Sequence, residues 1–353
     1  MFHVKHRNGG DILYYTGEKI LSLKDRNGNV PEIYMVTDLR STGKTTYFIK
    51  MLTKRFLKKG QKYVYLVRFE NELTSLASAI YKDIQTHALK EYSFESKIKG
   101  SGLYASILCD GVEMGYGLPL NSFDKIKRKS HLFTDATSII FDEFQSEKFK
   151  YVSNEINAFH SIHTSLARGN GEMRRYLPIY MLSNHITLLN PYFNAFGLTK
   201  LNKKTRFYKG EGFVLEQQFN EGAAKAHKKY GFDKAFVSTE YSDMNTQGKY
   251  LLDDDSYICK PTGKNEYIAT IIYGGEEYSI RRYLSTGKYH IGRNVDESYP
   301  ARYFIQKSSG GSNAEFINKC PFLTKYLREA FGNGNITMSD LSAKDCLIKT
   351  ISY

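Results

Sequence analysis

"VTDLRSTGKTT", Val36 to Thr46, decides how this chain is read. It closes on Gly43, Lys44 and Thr45, the ending of a phosphate-binding loop of the form G-x-x-x-x-G-K-[ST]. Asp38, however, stands where that pattern opens with glycine. The flanks supply the context such a loop needs. "EIYMVT" (Glu32 to Thr37) is a short apolar, β-prone run after the turn-rich "KDRNGNVP". Beyond the loop, Phe48, Ile49, Leu52, Phe56 and Leu57 recur at helical spacing among Lys50, Lys54, Arg55, Lys58 and Lys59, and Gly60 stands at the C-cap position. A helix that opens directly after a strand offers phosphate its free backbone N–H groups and the positive end of its dipole.

Three further runs read as strands: "KYVYLVRF" (Lys62 to Phe69), "SIIF" (Ser138 to Phe141) and "IYMLSN" (Ile179 to Asn184). Helical segments fall between them, notably "NEINAFHSIHTSLA" (Asn154 to Ala167). Strands alternating with helices predict an α/β layer built on a parallel sheet. Asp142 and Glu143 follow "SIIF" directly, so a hydrophobic strand delivers two adjacent carboxylates at its C-terminal end. In ATP-hydrolysing P-loop proteins the first such acid holds Mg²⁺ and the second polarises the attacking water. GKT and DE pairs are each common by chance; in this order, each in its strand context, they indicate a nucleotide site for ATP and Mg²⁺.

In that site the loop backbone from Asp38 through Arg40, Ser41, Thr42, Gly43 and Thr46 is expected to cradle phosphate. Lys44 supplies charge and Thr45 a hydroxyl for the metal. Asp tolerates turn and left-handed geometry, so Asp38 is expected to open the loop in place of glycine. Its negative charge is a liability near phosphate, which Arg40 would offset unless it reaches the γ-phosphate or points to solvent.

With 353 residues, 41% of them hydrophobic, 28 Tyr, 22 Phe and no Trp, the chain has a globular composition and enough length for two domains. No run approaches the roughly 18–20 apolar residues of a membrane span, and "MFHVKHRNGGD" has no signal-peptide core; a soluble, cytoplasmic protein is expected. Cys109, Cys259, Cys320 and Cys346 are scattered without metal-site or disulfide spacing. The net charge of +13 is uneven: residues 231–353 hold 15 Lys+Arg and 15 Asp+Glu, so the excess lies in residues 1–230. Such an excess attracts polyanions or simply aids solubility. The reading divides the chain into a P-loop domain (1–207), a linker (208–230) with a polar helical segment near Glu216 to Tyr230, and a mixed α/β domain (231–353).

"SIIFDEF", "YMLSN" running into "LNPYFNAFGL", "TEYSDMNTQGKYL" and the late "LREAFGNG" together resemble the DNA-packaging (encapsidation) ATPases of small podophages, relatives of the large terminases and known for an RNA-dependent packaging motor. The resemblance covers most of the chain. It implies a RecA-like, additional-strand (ASCE) P-loop domain with a mainly parallel central sheet, followed by a C-terminal domain resembling a vestigial RNase H-like nuclease fold. It implies a homo-oligomeric ring, a pentamer when assembled and a monomer in isolation if the ring forms only on the prohead. The ring would sit on the portal (connector) of the prohead in the host cytoplasm, move double-stranded DNA inward on ATP, engage a structural packaging RNA, and be absent from the mature virion. By resemblance Lys44, Thr45, Asp142 and Glu143 take the loop, metal and catalytic roles. Arg168 takes the arginine-finger role in a neighbouring subunit's site, with Arg174 or Arg175 as alternatives, and Ser183 and Asn184 sense the γ-phosphate. Lys129 matches a lysine of this family, within the basic run "DKIKRKSH" on an expected loop, where Lys125, Lys127, Arg128 and Lys129 are candidates for DNA contact or a solvated face. The acids of "DDDS" (Asp253 to Ser256) are consecutive, whereas a two-metal nuclease draws carboxylates from separate strands, so no cutting is expected. A terminase that cuts DNA, and a nucleotide-gated nucleic-acid-binding protein with negligible turnover, are the competing readings.

Overall fold

The computed structural model describes residues 14–351 apart from 75, 88, 148–149, 169–172, 189, 199–200, 202–204, 220, 222, 226–249, 251–256 and 306–313. The chain divides into two compact units, Met1–Thr187 with Leu201–Leu252, and Leu188–Lys200 with Asp253–Tyr353.

The first unit is built on strands β1 (Ile33–Asp38), β2 (Lys62–Val67), β3 (Phe94–Lys99), β4 (Tyr104–Cys109), β5 (Val112–Pro119), β6 (Ala136–Asp142), β7 (Ile179–Asn184), β8 (Phe207–Lys209) and β9 (Phe213–Gln217). Among the described residues they form one sheet in the order β3-β4-β5-β2-β6-β7-β1-β9-β8. The run from β5 to β9 is parallel throughout, and antiparallel β3-β4 and β8 extend its two edges. Helices α1 (Glu18–Ser22), α2 (Lys44–Lys59), α3 (Leu76–His87), α4 (Phe123–Arg128) and α5 (Glu155–Leu166) are among those that belong to the unit. Central parallel strands covered on both faces are apolar almost throughout, and residues 34–38 of β1 are all buried. Alternate strand residues Tyr34, Val36, Tyr63, Tyr65, Ile140 and Leu182 pack against Phe48, Ile49 and Leu52 of α2 and Leu76, Ala77 and Tyr81 of α3. On the other face Phe141 lies 6.0 Å from Phe159 of α5, ring centroid to centroid.

At Gly115 of β5 the sheet admits no side chain, because an added Cβ would stand 2.3 Å from the Tyr63 carbonyl oxygen of β2. The obstacle is backbone of a central strand, which cannot swing aside. Gly115→Ala is therefore expected to cost about 1–3 kcal/mol of stability, as overpacked substitutions do, visible as a lowered urea midpoint at unchanged slope.

Three expectations are corrected here. The start of the stretch placed in a linker (208–230), with a polar helix near Glu216, instead carries β8 (Phe207–Lys209) and β9 (Phe213–Gln217), with β9 parallel to β1. Tertiary contacts override the polar composition: the Tyr15 hydroxyl donates to Glu216 at 2.9 Å and Gln217 Nε2 donates to the Thr205 carbonyl at 2.8 Å, so both polar side chains are buried. The division between the units falls at Leu252/Asp253 rather than in 208–230. The basic run expected on a loop is α4 followed by a 3₁₀ turn, Ser130–Phe133, because Ile126 and Phe133 anchor it in the interior.

The second unit contains α6 (Pro191–Ala195), a mixed sheet and two late helices, α7 (Pro321–Gly332) and α8 (Leu341–Ile351). Its strands are β10 (Asn265–Tyr273), β11 (Glu276–Tyr283), β12 (Tyr289–Gly292), β13 (Arg302–Phe304), β14 (Glu315–Phe316) and β15 (Ile336–Met338), in the order β14-β13-β10-β11-β12-β15. β10, β11 and β12 are successive antiparallel neighbours, and β13 then joins the free edge of β10 in parallel, followed by β14. Ile271, Ile280 and Ile291 of the sheet pack with Leu327 of α7 and Cys346 and Leu347 of α8. Asp253–Asp255 and residues 307–313 lie outside the described residues. Among the described residues no helix is long and apolar enough to cross a membrane.

Candidate nucleotide site

The loop between β1 and α2 has the geometry the sequence promised, with the strain in different places. Gly43 caps α2 at φ 88° and Ser41 adopts φ 59°, so these two positions carry the left-handed backbone. Asp38 does not; it ends β1 in strand conformation, in register with Asn184 of β7. The expectation that Asp38 substitutes for glycine through turn tolerance is thereby corrected: nothing in the backbone there requires glycine. Its fully buried carboxylate accepts the Leu39 N–H at 2.7 Å, which ties the acid into the loop it opens.

Lys44 threads under the loop. Its ammonium donates to the Leu39 carbonyl at 2.7 Å and lies 3.3 Å from Asn184 Oδ1. Burial lowers its pKa, opposed by the nearby charges of Asp38 and Asp142. Thr42 closes the loop through a bond from its hydroxyl to the Leu39 carbonyl, and Thr46 is exposed on α2. Across the sheet, Thr45 Oγ1 donates to Asp142 Oδ2 at 2.8 Å, and the Tyr65 hydroxyl approaches the same oxygen at 3.5 Å. Burial raises the Asp142 pKa; burial and then the Asp142 charge raise that of Glu143. A hydroxyl and a desolvated carboxylate sharing one corner form an all-oxygen donor set that suits Mg²⁺.

Glu143 turns the chain sharply away from β6 at φ 54°, its N–H bonded to Asp142 Oδ1 at 3.0 Å. A non-glycine residue held there costs of order 1–2 kcal/mol, so the surroundings must impose it. They do so from both sides: the Phe144 N–H donates to the Leu182 carbonyl of β7, and Arg68, the residue after β2, donates to the Glu143 carbonyl at 3.2 Å and the Phe144 carbonyl at 2.9 Å. An open cleft of about 230 Å³ lies before this turn, lined by Arg40, Glu143, Ser183 and Asn184 among others. Arg40 pairs with Glu147 across its mouth, and the Ser183 hydroxyl donates to the Asn184 carbonyl at 2.9 Å. The fold thus brings Asp38, Arg40, Ser41, Thr42, Gly43, Lys44, Thr45, Asp142, Glu143, Ser183 and Asn184 to one end of the sheet.

It does not bring the candidate finger arginines there. Arg175 donates to the Leu166 carbonyl at the C-terminus of α5, and Arg174 pairs at 3.0 Å with Glu32, which precedes β1. Arg168 follows α5 directly and is exposed; among the described residues it has no ion pair or hydrogen bond. Glu32 and Asp38 bracket β1, and at about 3.3 Å per residue that strand spans roughly 20 Å. These arginines therefore stand at the opposite end of the sheet from Lys44 of their own chain. Lys125, Lys127, Arg128 and Lys129 are exposed on and just after α4. Lys125, Arg128 and Lys129 face a second cleft whose other wall is the Gly100–Gly102 turn between β3 and β4.

Behind the loop, His185 follows the polar strand tip and stacks on Tyr250, ring centroids 4.9 Å apart. Burial, with the Lys44 charge beside it, holds its pKa down at about 4. The unfolded chain therefore takes up the proton first, at about pH 6.5, so stability is complete above that pH and falls as the solution is acidified. The loss is expected to reach about 2 kcal/mol at pH 5. Urea titrations at pH 7 and pH 5 would show it, and His185→Phe, which keeps a ring against Tyr250, should remove that part of the difference.

The position of β7 sets the class. A polar-tipped strand inserted between the loop strand β1 and the acid strand β6 is the added strand of the RecA-like P-loop fold, and the first unit is such a domain. The chain belongs to the podovirus DNA encapsidation protein (Gp16) family, whose model matches residues 10–350. It is 26% identical to the DNA packaging protein of Bacillus phage phi29 over 347 residues, 97% of this chain and 96% of that one. It is 29% identical to the DNA packaging protein of Bacillus phage B103 over 248 residues, 69% of this chain and 72% of that one. Among solved structures, the bacteriophage Phi-29 viral genome packaging motor assembly aligns over 97% of this chain and 98% of that chain, with a TM-score of 0.67 and 22% identity. The Phi-28 gp11 DNA packaging motor aligns over 96% of each chain with a TM-score of 0.59 and 17% identity. At these identities the two structural matches establish a shared fold.

Proposed function

We propose that this chain is the ATPase subunit of a packaging motor that drives double-stranded DNA into a preformed prohead. The observation that carries the reading is the contact of Thr45 with Asp142 beside Lys44 and Glu143, in a chain of the encapsidation family. Lys44 and the loop N–H groups bind the phosphates, while Glu143 orients and deprotonates the attacking water. Thr45 and Asp142 would hold Mg²⁺, which supplies charge neutralisation at the phosphates when bound. Ser183 and Asn184 report the γ-phosphate, Asn184 through its contact with Lys44.

Arg168 is the arginine finger of this reading, given to a neighbouring copy. Two facts support that choice: it stands about a strand length from its own site, and Arg174 and Arg175 are engaged with Glu32 and Leu166. A finger acting in trans implies a closed ring, which we read as a pentamer seated on the portal with a structural RNA as a further partner. The second unit, with three antiparallel strands followed by two parallel ones at the free edge of β10, suits a vestigial nuclease-like fold without cutting activity.

DNA grip is assigned to Lys125, Lys127, Arg128 and Lys129. Replacing Lys125, Arg128 and Lys129 together by Ala is expected to weaken DNA binding at unchanged ATP affinity and to reduce the slope of log K against log salt by about 3. A filter-binding salt series checks it. The function itself is tested by steady-state ATP hydrolysis with and without double-stranded DNA: stimulated turnover supports the motor, and ATP binding with no turnover in the assembled ring would favour a nucleotide-gated binding protein instead.

A further inference from the structure

We propose that the side-chain amide of Gln145 donates a hydrogen bond to the γ-phosphate of bound ATP and stabilises the charge there during transfer. This assignment deepens the ATPase reading of the site and rests on it. Gln145 follows Glu143 by two residues, and both of its chain neighbours are tied down. The Phe144 N–H donates to the Leu182 carbonyl of β7, and the Ser146 N–H to the Tyr151 hydroxyl at 3.1 Å. The Gln145 side chain is 2% exposed and forms part of the wall of the cleft that Arg40, Glu143, Ser183 and Asn184 also line.

One end of this amide is in use. Oε1 accepts the Thr187 N–H at 2.9 Å, three residues past the end of β7. A backbone N–H needs an acceptor opposite it, so this bond fixes which way the carboxamide faces. Nε2 is then a donor; it is buried, and among the described residues it has no acceptor. Native folds keep few such groups, because a buried donor that makes no bond has lost its water for nothing. The missing partner must be an acceptor, which suits an anion and not a metal ion. In a cleft that holds Glu143 beside the phosphate loop, the strongest acceptor delivered is an oxygen of the γ-phosphate. The bond forms as the cleft closes on nucleotide, since contacts of this kind tighten only in the substrate complex.

The test uses the full chain and compares equilibrium binding of a non-hydrolysable ATP analogue with that of ADP, which has no γ-phosphate. Gln145→Met keeps the length of the side chain without its polar atoms; Gln145→Glu keeps an oxygen for the Thr187 N–H and loses only the donor. Both are expected to weaken the ATP analogue about tenfold to a hundredfold, the span of a hydrogen bond to a charged group, with ADP within about twofold of wild type. Turnover should fall by at least the same factor. If Gln145→Met folds poorly, as a lowered urea midpoint would show, Gln145→Glu carries the comparison. Equal weakening of both nucleotides would make the amide a structural tie, and a lowered kcat at unchanged affinity for the analogue would give its donor to the attacking water or to Glu143; either result overturns the proposal. Failure of the wild-type chain to bind the analogue or ADP would overturn the ATPase reading instead.

Discussion

Glu143→Gln is expected to bind ATP with near wild-type affinity and to lose DNA-stimulated hydrolysis by about 10²–10⁴-fold, the range over which a positioned base acts. The reasoning is local. Among the described residues Glu143 makes no hydrogen bond to Lys44 or Thr45, whose partners are the loop carbonyls, Asn184 and Asp142, so it is not one of the groups that hold the phosphate-binding side chains in place. Its carboxyl, raised by burial and by the Asp142 charge, is a stronger base than a free glutamate. Glutamine fills the same space and keeps the turn that the backbone bonds impose, but it cannot accept a proton. Nucleotide binding followed by fluorescence and turnover followed by phosphate release separate the two effects. Equal loss of both would move Glu143 from the chemistry to the binding of nucleotide.

Arg168→Ala is expected to lower turnover by about 10³–10⁵-fold in assembled rings, as removal of a finger does, and to leave an isolated chain's ATP affinity intact. Arg174→Ala is expected to act through Glu32 instead: that carboxylate also accepts the Leu177 N–H at 3.2 Å, so its loss perturbs the start of β1 and β7 and registers mainly as lowered stability. The proposed trans arrangement makes a sharper forecast. A chain carrying Arg168→Ala has a sound site and no finger; a chain carrying Lys44→Ala has a finger and no site. Mixed together they should regain part of the turnover that neither shows alone. No recovery in rings shown to contain both chains would place the finger elsewhere.

Much of this architecture is legible in the residues because parallel central strands leave long apolar runs. β1, β2, β6 and β7 each announce themselves in that way, and α2 and α5 by helical spacing. Lys44, Thr45, Asp142 and Glu143 are legible for a related reason: a strand that ends in polar residues points to the edge of the sheet where sites form. Other parts leave no such mark. β3 is half-exposed and carries Glu95, Lys97 and Lys99, and β9 ends in Glu216 and Gln217, whose burial goes with bonds to Tyr15, 201 residues away, and to Thr205 before β8. The pairing of Arg68 with Glu155 leaves no mark in the sequence, since it spans 87 residues and no spacing rule connects them. Asp38 shows the converse failure. The glycine pattern draws attention to position 38, whereas the left-handed positions are Ser41 and Gly43.

The most direct test of the central claim is protection of double-stranded DNA from nuclease after incubation with purified cognate proheads, this protein and ATP. Genome-length protected DNA that requires ATP and disappears with Glu143→Gln is the expected result. Protection that proceeds equally with Glu143→Gln, or its absence when wild-type rings on proheads hydrolyse ATP in response to DNA, would contradict the account.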